Sequence, residues 1–170
     1  TSDDPLADYP DRMAADGFEP SRLAGFLTGS IDVVLRVPGD GGGEGRDSGH
    51  DRYLVVDYKT NWLGQWPPQP RTPLSAWDYR PVALPAAMIE AHYPLQALLY
   101  QVALHRFLRW RVPGYDPDRD LGGVLYLYLR GMCGPDTPCW QGVPCGVFSW
   151  RPPAGLVAEL SDLLATGGAE

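Results

Sequence analysis

An acid and a lysine stand two residues apart in an apolar stretch near the middle of the chain. The stretch reads VVDYKTN over residues 55–61, and it places Asp57 and Lys59 on one face if it forms a strand, because strand side chains alternate. A second acid, Asp32, ends another apolar stretch upstream. Two carboxylates and a lysine suit a magnesium ion and a water molecule, since magnesium prefers oxygen ligands and keeps several waters. The pattern predicts a metal-dependent nuclease site.

Each candidate has a chemical role and a simpler alternative. Asp32 and Asp57 would be metal ligands, the Tyr58 carbonyl a third ligand, and Lys59 would hold the attacking water or stabilise transition-state charge. A D-x-K pair on a strand is otherwise most often an exposed ion pair, and an acid at a strand end is most often a turn or cap residue. The combination of strand-end acid, glycine-rich turn and apolar strand with D-Y-K favours the metal site.

Composition limits the partners of the chain. Its 170 residues suffice for one domain with a core, and its net charge is −7. DNA-binding modules are usually basic, so the charge argues against a self-sufficient DNA binder and favours a domain to which a larger basic assembly delivers DNA. There is no apolar run of about 18 residues and no signal-peptide pattern, so no membrane span is predicted and a cytoplasmic location is expected.

The three cysteines lie six residues apart, at Cys133, Cys139 and Cys145. An odd count at this spacing matches no zinc template and no closed disulfide set. Free thiols in a loop and hairpin are predicted, with a single disulfide as the alternative.

Hydrophobic periodicity predicts the first half of the fold. Residues 1–24 form a polar lead-in without a clear period. A strand is predicted over 25–37, with a core face of Leu27, Ile31, Val33, Leu35 and Val37. A glycine-rich turn over 38–51 leads to a strand over 53–59. The sequence leaves the pairing register of these strands open.

The second half alternates loops, helices and strands. An irregular loop over 61–83 is long enough to cover a site. A helix over 85–110, bent or restarted at Pro94, has a predicted buried stripe of Leu95, Leu98, Leu99 and Val102. A loop over 112–121, strands over 123–130 and 146–150, and a helix over 156–164 follow. The predicted class is α/β, with a mixed central β-sheet flanked by helices.

Four stretches resemble a known family in the order in which they occur: GFLTGSIDVVLR, YLVVDYKTNWLG, YPLQALLYQVALHRFLRWRVPGYD and GGVLYLYLRGM. They resemble the PD-(D/E)xK nuclease superfamily and, more narrowly, the C-terminal nuclease domains of RecB-type helicase–nuclease subunits. The resemblance covers residue 25 to the end of the chain. It implies a restriction-endonuclease-like core and magnesium-dependent DNA cleavage of the exodeoxyribonuclease V type, in double-strand-break repair and DNA degradation.

The resemblance also implies residue roles. Asp32 and Asp57 match the metal-binding acids, Tyr58 would supply a backbone carbonyl, and Lys59 matches the catalytic lysine. Gln96 and Tyr100 match a downstream motif; four residues apart on one helix face, they would contact the scissile strand or position Lys59.

One departure from the family concerns the residues before the first strand. The family uses a metal-ligating histidine there, often with a glutamate, whereas residues 1–24 contain no histidine and only Glu19 as a glutamate. All three histidines follow Asp32, at His50, His92 and His105, and a surface or core-edge role is predicted for His92.

The phosphate-binding pattern G-x-x-x-x-G-K-[ST] is also absent. We therefore expect a C-terminal piece of a longer polypeptide, with residues 1–24 as lead-in and 25–170 as a nuclease domain incomplete on its N-terminal side. ATP binding and unwinding would belong to the helicase portion of that polypeptide. The expected partners are this portion, DNA, and RecC-like and RecD-like subunits.

Two other readings stay open. A Cas4-like or AddB-like nuclease would carry iron–sulfur cysteines, but three clustered cysteines do not supply four ligands. A catalytically silent relative would serve as a scaffold or DNA-positioning module; the intact Asp32, Asp57 and Lys59 argue against it, and the missing histidine argues for it. The basic stretch 105–111 would either touch the DNA backbone or, as the helix dipole favours, form a solvated helix end.

Overall fold

A computed structural model describes residues 4–17, 28–39, 49–64 and 73–166 of the chain. The helices are α1 (Tyr9–Ala15), α2 (Leu84–Glu90), α3 (Tyr93–Arg111), α4 (Pro117–Asp120) and α5 (Ala154–Thr166). The strands are β1 (Val33–Val37), β2 (Arg52–Lys59), β3 (Leu121–Tyr128), β4 (Cys139–Trp140), β5 (Val143–Pro144) and β6 (Val147–Trp150).

The main sheet has four strands in the order β1-β2-β3-β6. β1 and β2 are antiparallel, β2 and β3 are parallel, and β3 and β6 are antiparallel. The parallel pair requires a long connection between its strands, and this connection carries α2, α3 and α4. The prediction of an α/β fold with a mixed sheet flanked by helices is therefore confirmed.

The core lies between the two central strands and the helices. On β3 the tyrosines, rather than the intervening leucines, occupy the more buried face. The core side chains include Val55, Val124, Tyr126, Tyr128, Leu84, Met88, Ala97, Leu104, Leu108 and Val157. Both β2 and β3 are central strands. At the end of β2 that carries the candidate lysine, β3 still pairs with Lys59, whereas the ladder with β1 has already ended at Val56.

The first strand differs from its prediction. It begins at Val33 rather than at residue 25; residues 28–32 precede it, and residues 25–27 lie outside the described parts. Leu35 and Val37, expected in the core, are 42% and 46% exposed. The reason is that β1 lies at the edge of the sheet, where β2 is its single partner among the described strands.

The buried face of α3 also differs from the predicted stripe. Leu95 is 39% exposed, and of the four predicted residues only Val102 is fully buried. The sheet packs instead against a face that contains Ala97 and Gln101. A small residue allows close approach, and Gln101 Nε2 donates to the Gly123 carbonyl at 3.0 Å, which satisfies a polar group inside the core.

The helix break near Pro94 is confirmed. α2 ends at Glu90, and α3 begins at Tyr93 with Pro94 in its first turn, where a missing N–H costs nothing. His92 lies between them with a φ of 53°, in the left-handed region. It is half-buried, as predicted.

The remaining element predictions have mixed outcomes. β2, β6 and α5 lie within two residues of their predicted bounds. The loop predicted over 61–83 contains two 3-10 turns, Ala76–Tyr79 and Pro81–Ala83, and the loop over 112–121 contains α4. The segment interpreted as a polar lead-in without a clear period contains α1, and its Tyr9 is buried.

The cysteines are free thiols, as predicted: Cys133 and Cys139 are exposed and Cys145 is buried. Burial raises the pKa of the Cys145 thiol. Among the described helices, none has the length and apolar character needed to cross a membrane.

A bulge in β3 depends on Gly123. The register shifts there, so that Tyr53 pairs with Leu121 and Leu54 with Gly123. Gly123 has a φ of +91°, and a Cβ at this position would lie 2.4 Å from the Trp150 carbonyl oxygen.

Gly123→Ala should therefore lower the free energy of unfolding in urea by at least about 1–3 kcal/mol, from the strained backbone alone. Gly155→Ala is the matched control, because a Cβ there meets nothing within 4 Å and the site is helical. It should leave stability unchanged or raise it by up to about 1 kcal/mol. Equal stability of the two variants would contradict the assigned bulge.

Candidate active site

The register of β1 and β2 brings the two candidate acids together. Val33 pairs with Val56, so the next position beyond each places Asp32 beside Asp57 at the carboxyl end of β2. Asp32 Oδ2 accepts a hydrogen bond from the Tyr58 N–H at 3.0 Å. Burial raises the pKa of Tyr100, and the charges of Asp57 and Asp32 raise it further.

The backbone of Tyr58 faces the edge where β1 ends. In a strand the N–H and C=O of one residue point to the same side, as the exchanged bonds of antiparallel pairs require. Because the Tyr58 N–H meets Asp32, its carbonyl also points toward the Asp32 side. The predicted third ligand is thus adjacent to the first, while the Tyr58 side chain is half-exposed.

The Lys59 ammonium is held by groups from three elements. Its Nζ lies 2.7 Å from Asp57 Oδ2 and donates to Gln96 Oε1 at 3.0 Å. It also lies 3.9 Å from the centre of the Tyr93 ring and 5.1 Å from that of Tyr126, within cation–π range. The ammonium therefore has one defined position among β2, α3 and β3.

Gln96 is oriented by three hydrogen bonds. Its Oε1 accepts from Lys59 and from the Tyr126 hydroxyl at 3.1 Å, and its Nε2 donates to the Tyr100 hydroxyl at 3.0 Å. Gln96 was predicted either to contact the scissile strand or to position Lys59. These hydrogen bonds match the second role. Tyr100 in turn holds Gln96, four residues earlier on the same helix.

Two tyrosines of the site were missed in the sequence. Tyr93 lies three residues before Gln96, on the same side of α3, and its hydroxyl exchanges hydrogen bonds with the Asn61 amide at 3.0 and 3.1 Å. Tyr126 pairs with Asp57 across the parallel ladder. The helical spacing from Gln96 was a usable signal for Tyr93; no local signal identified Tyr126, since the β2–β3 register is a tertiary property.

The chain after Lys59 is fixed by a buried tyrosine. The Tyr79 hydroxyl donates to the Asn61 carbonyl at 2.7 Å and accepts from the Leu63 N–H at 3.3 Å. Burial is the main cause of a raised pKa for Tyr79. The turn that follows the candidate lysine is therefore anchored to the 3-10 turn Ala76–Tyr79.

The donor set fits a cation that keeps water ligands. Asp57 is 4% exposed, and its Oδ2 accepts no well-angled hydrogen bond although Lys59 Nζ is close. Within the described residues, no group of three or more His, Cys, Asp or Glu side chains could hold a metal. Two carboxylates and a carbonyl suit magnesium, which is commonly bound through one or two carboxylates and retains waters, and do not suit a four-ligand zinc site.

The histidines have other surroundings. The His105 ring contacts the Tyr115 hydroxyl at 2.9 Å, and burial lowers its pKa, assisted by Arg109. His92 lies 3.3 Å from the Tyr9 hydroxyl and 3.4 Å from Asp16. His92 also lines an open groove of 570 Å³ beside Gln96 and Tyr100. His50 is exposed, and Glu19 lies outside the described residues.

Fold and site together define an α/β protein in which two carboxylates, a strand-edge carbonyl and a partly buried lysine meet at one end of a mixed sheet. No protein-family model matches the chain. Individual proteins do. The RecB subunit of the RecBCD enzyme from Mycobacterium tuberculosis is 54% identical over 165 residues, which are 97% of this chain and 13% of that protein.

Two further relatives carry the same name. RecB from Mycolicibacterium smegmatis is 51% identical over 96% of this chain and 14% of its own length. RecB from Escherichia coli is 38% identical over 85% of the chain and 10% of its own length. The chain belongs to the RecB family, which confirms the resemblance seen in the sequence, and it spans about a tenth to a seventh of these relatives.

The site predicts an asymmetry between its two charges. Lys59→Met should lower the free energy of unfolding by about 3–5 kcal/mol, because it leaves the buried Asp57 carboxylate without its cation. Asp57→Asn should lower the free energy of unfolding by less, since the Lys59 ammonium keeps its hydrogen bond to Gln96 and its contact with the Tyr93 ring. Urea unfolding of both variants in a chelator at neutral pH measures the difference.

The double variant is the control for this asymmetry. Asp57→Asn combined with Lys59→Met removes both charges and should recover most of the stability that Lys59→Met loses. Costs that simply add in the double variant would mean that the two side chains are not coupled.

Proposed function

We propose that this chain forms a magnesium-dependent site that cleaves DNA phosphodiester bonds, within a core of the restriction-endonuclease type. The observation that carries the proposal is the juxtaposition of Asp32, Asp57 and the Lys59 ammonium at the end of β2. Membership in the RecB family supports it. The wider function would be that of a nuclease domain in double-strand-break repair and DNA degradation.

The ligand roles follow from the donor atoms. Asp32, Asp57 and the Tyr58 carbonyl would hold Mg²⁺, which when bound neutralises charge on the phosphate and lowers the pKa of a bound water. Asp57 is the buried and preoriented ligand. Asp32 is exposed, yet its bond to the Tyr58 N–H fixes one oxygen and leaves the other available.

Lys59 would act on the reacting groups directly. In hydrolysis the water oxygen bonds to phosphorus, the bond from phosphorus to the leaving oxygen breaks, and that oxygen takes up a proton. An ammonium fixed beside the metal ligands either orients the water or stabilises the negative charge that develops on phosphate oxygens. The hydrogen bond from Lys59 to Gln96 and the contact with the Tyr93 ring set its position before substrate binds.

Gln96 and Tyr100 would act mainly through Lys59. Gln96 Oε1 accepts from the ammonium, and Tyr100 holds the amide of Gln96 in the orientation that allows this. Both also line the groove of 570 Å³, so a substrate strand that enters the groove would pass them.

Partners follow from the family and the charge. The relatives are named as subunits of the RecBCD enzyme. We propose that the chain works next to a helicase portion of the same polypeptide and to RecC-like and RecD-like subunits. A net charge of −7 opposes long-range attraction to DNA, so delivery of the strand by such partners fits the chain better than independent capture.

A catalytically silent scaffold is the second candidate. It is favoured by the close approach of Lys59 to Asp57, which neutralises the buried carboxylate without a metal, and by the small number of acidic ligands in the described residues. Metal binding separates the two candidates, because a scaffold of this kind needs no cation. The iron–sulfur alternative finds no ligand group in the described residues.

Asp32→Asn should weaken magnesium and manganese binding by about tenfold or more, because the amide keeps the shape but removes the charge that a hard cation requires. Asp51→Asn is the matched control. Asp51 pairs with Arg36 toward the opposite end of the same two strands. Isothermal titration with each metal measures the effect.

Unchanged affinity in Asp32→Asn would make this acid structural. An equal loss in Asp51→Asn would indicate a nonspecific effect of charge. Absence of metal binding by the unmodified chain would favour the scaffold.

Asp57→Asn and Lys59→Met should each lower metal-dependent cleavage of single-stranded DNA by about 10²–10³-fold, the usual loss when one transition-state contact is removed. Cleavage by the unmodified 170-residue chain should be slow, since its charge opposes DNA binding. The measurement is release of labelled fragments in magnesium and in manganese, after circular dichroism has shown that each variant is folded. Near-normal cleavage by one of these variants would mean that the substituted residue has no part in the mechanism.

A further inference from the structure

Three exposed tryptophans and an arginine surround the turn that follows β2. Trp62, Trp77 and Trp140 are 42%, 43% and 39% exposed, although most large aromatic side chains in the described parts of the chain are buried or half-buried. Arg130 is also exposed. We call these four residues the stacking surface, and we propose that it binds the bases and backbone of unpaired DNA next to the candidate active site.

Trp62 and Arg130 form one half of this surface. The guanidinium carbon of Arg130 lies 5.9 Å from the centre of the Trp62 ring, and its Nε donates to the Thr60 carbonyl at 2.8 Å. Within the described parts of the chain, the terminal nitrogens of Arg130 make no hydrogen bond or ion pair. They are therefore available to a phosphate oxygen, while the anchored Nε fixes the direction of the side chain.

Trp77 and Trp140 form the other half. Their rings meet edge to face with centroids 5.5 Å apart. The 3-10 turn that carries Trp77 packs against the turn Leu129–Gly131, which carries Arg130. The Trp77 carbonyl accepts from Arg80 at 3.1 Å, so a second arginine lies at this side of the surface.

The stacking surface is joined to the candidate active site by a fixed path. Trp62 follows Lys59 by three residues, about 10 Å of extended chain at most. Between them, the Asn61 side chain bonds the Tyr93 hydroxyl, and the Tyr93 ring lies against the Lys59 ammonium. A strand held on Trp62 would therefore reach Lys59 within a few nucleotides.

The chemistry of the surface selects unpaired nucleic acid. Every base has a π-face, so tryptophan rings can stack on single strands without sequence preference, and arginines neutralise the backbone. Bases within a duplex already stack on each other and do not present these faces. Exposed tryptophan and arginine also occur at protein interfaces. The free guanidinium nitrogens beside a proposed phosphodiester-cleaving site favour the nucleic acid. The inference thus rests on the proposed function.

The chain offers a matched control pair on another part of its surface. Trp110 is 76% exposed, and the Arg111 guanidinium lies 4.8 Å from its ring. Both are at the end of α3, about 21 Å along the helix from Gln96. This pair repeats the composition of the Trp62–Arg130 pair without its connection to Lys59.

The test is the binding of a short fluorescein-labelled oligothymidine to the 170-residue chain at low salt in a chelator, followed by fluorescence anisotropy. Trp62→Ala should raise Kd about tenfold, and Trp62→Phe, which keeps a stacking ring, should recover most of the affinity. Arg130→Ala should lower the slope of log Kd against log salt by about 0.7, the value for one phosphate contact on a single strand. Trp110→Ala and Arg111→Ala should change neither quantity.

Several results would overturn the surface: no binding of the oligonucleotide, equal effects of Trp62→Ala and Trp110→Ala, or equal competition by a blunt-ended duplex. Cleavage in magnesium, measured in parallel, separates the two proposals. Binding that depends on Trp62 in a chain that does not cleave would refute the proposed function and leave the surface. If the chain cleaves DNA but Trp62→Ala leaves Kd unchanged, the stacking surface would be refuted and the proposed function would stand.

Discussion

The position of one ammonium group links the main layers of this fold. Lys59 projects from β2, and its partners come from β2 itself, from α3 and from β3: Asp57, Gln96, and the rings of Tyr93 and Tyr126. A cation this little exposed is costly unless it is paired and hydrogen-bonded. The ammonium keeps these partners only if the parallel strands have the observed register and α3 has the observed rotation about its axis. The burial of Lys59 therefore couples the arrangement of the sheet to that of the helix.

The surroundings of this cation are built from tyrosines rather than aliphatic side chains. Burial, followed by the charge of Asp57 and neighbouring tyrosines, raises the pKa of Tyr126 above its ordinary value, and the protonated hydroxyl donates to Gln96. Tyr128 is similar, and its hydroxyl meets the Met88 sulfur at 3.3 Å. A tyrosine supplies core volume at its ring and a hydrogen bond at its tip. The core can therefore continue up to a charged site while the hydroxyls of Tyr126 and Tyr128 keep hydrogen-bond partners.

Sequence patterns identified the parts of this protein whose cause is local. Short strand-like stretches located β2 and β6, Pro94 marked the restart of the long helix, and the two-residue spacing put Asp57 and Lys59 on one face. The parts that failed depend on distant contacts. Leu35 and Val37 look like core residues but lie on an edge strand, and the buried face of α3 was displaced because Gln101 finds an acceptor on β3. The proximity of Asp32 to Asp57 required a register that no local signal contains.

The candidate metal site exists because the ladder between β1 and β2 stops before it reaches Tyr58, whose partner in this register would be Ile31. β1 begins at Val33, so Tyr58 finds no backbone partner on that side among the residues that the structure describes, and the Asp32 carboxylate accepts its N–H instead. This leaves a carboxylate and a carbonyl at an open edge, where a cation and its waters can enter from solvent. Asp57 adds a carboxylate from the interior, already desolvated and oriented. An uninterrupted ladder would have consumed the Tyr58 carbonyl, so the early end of the edge strand makes the arrangement of donors possible.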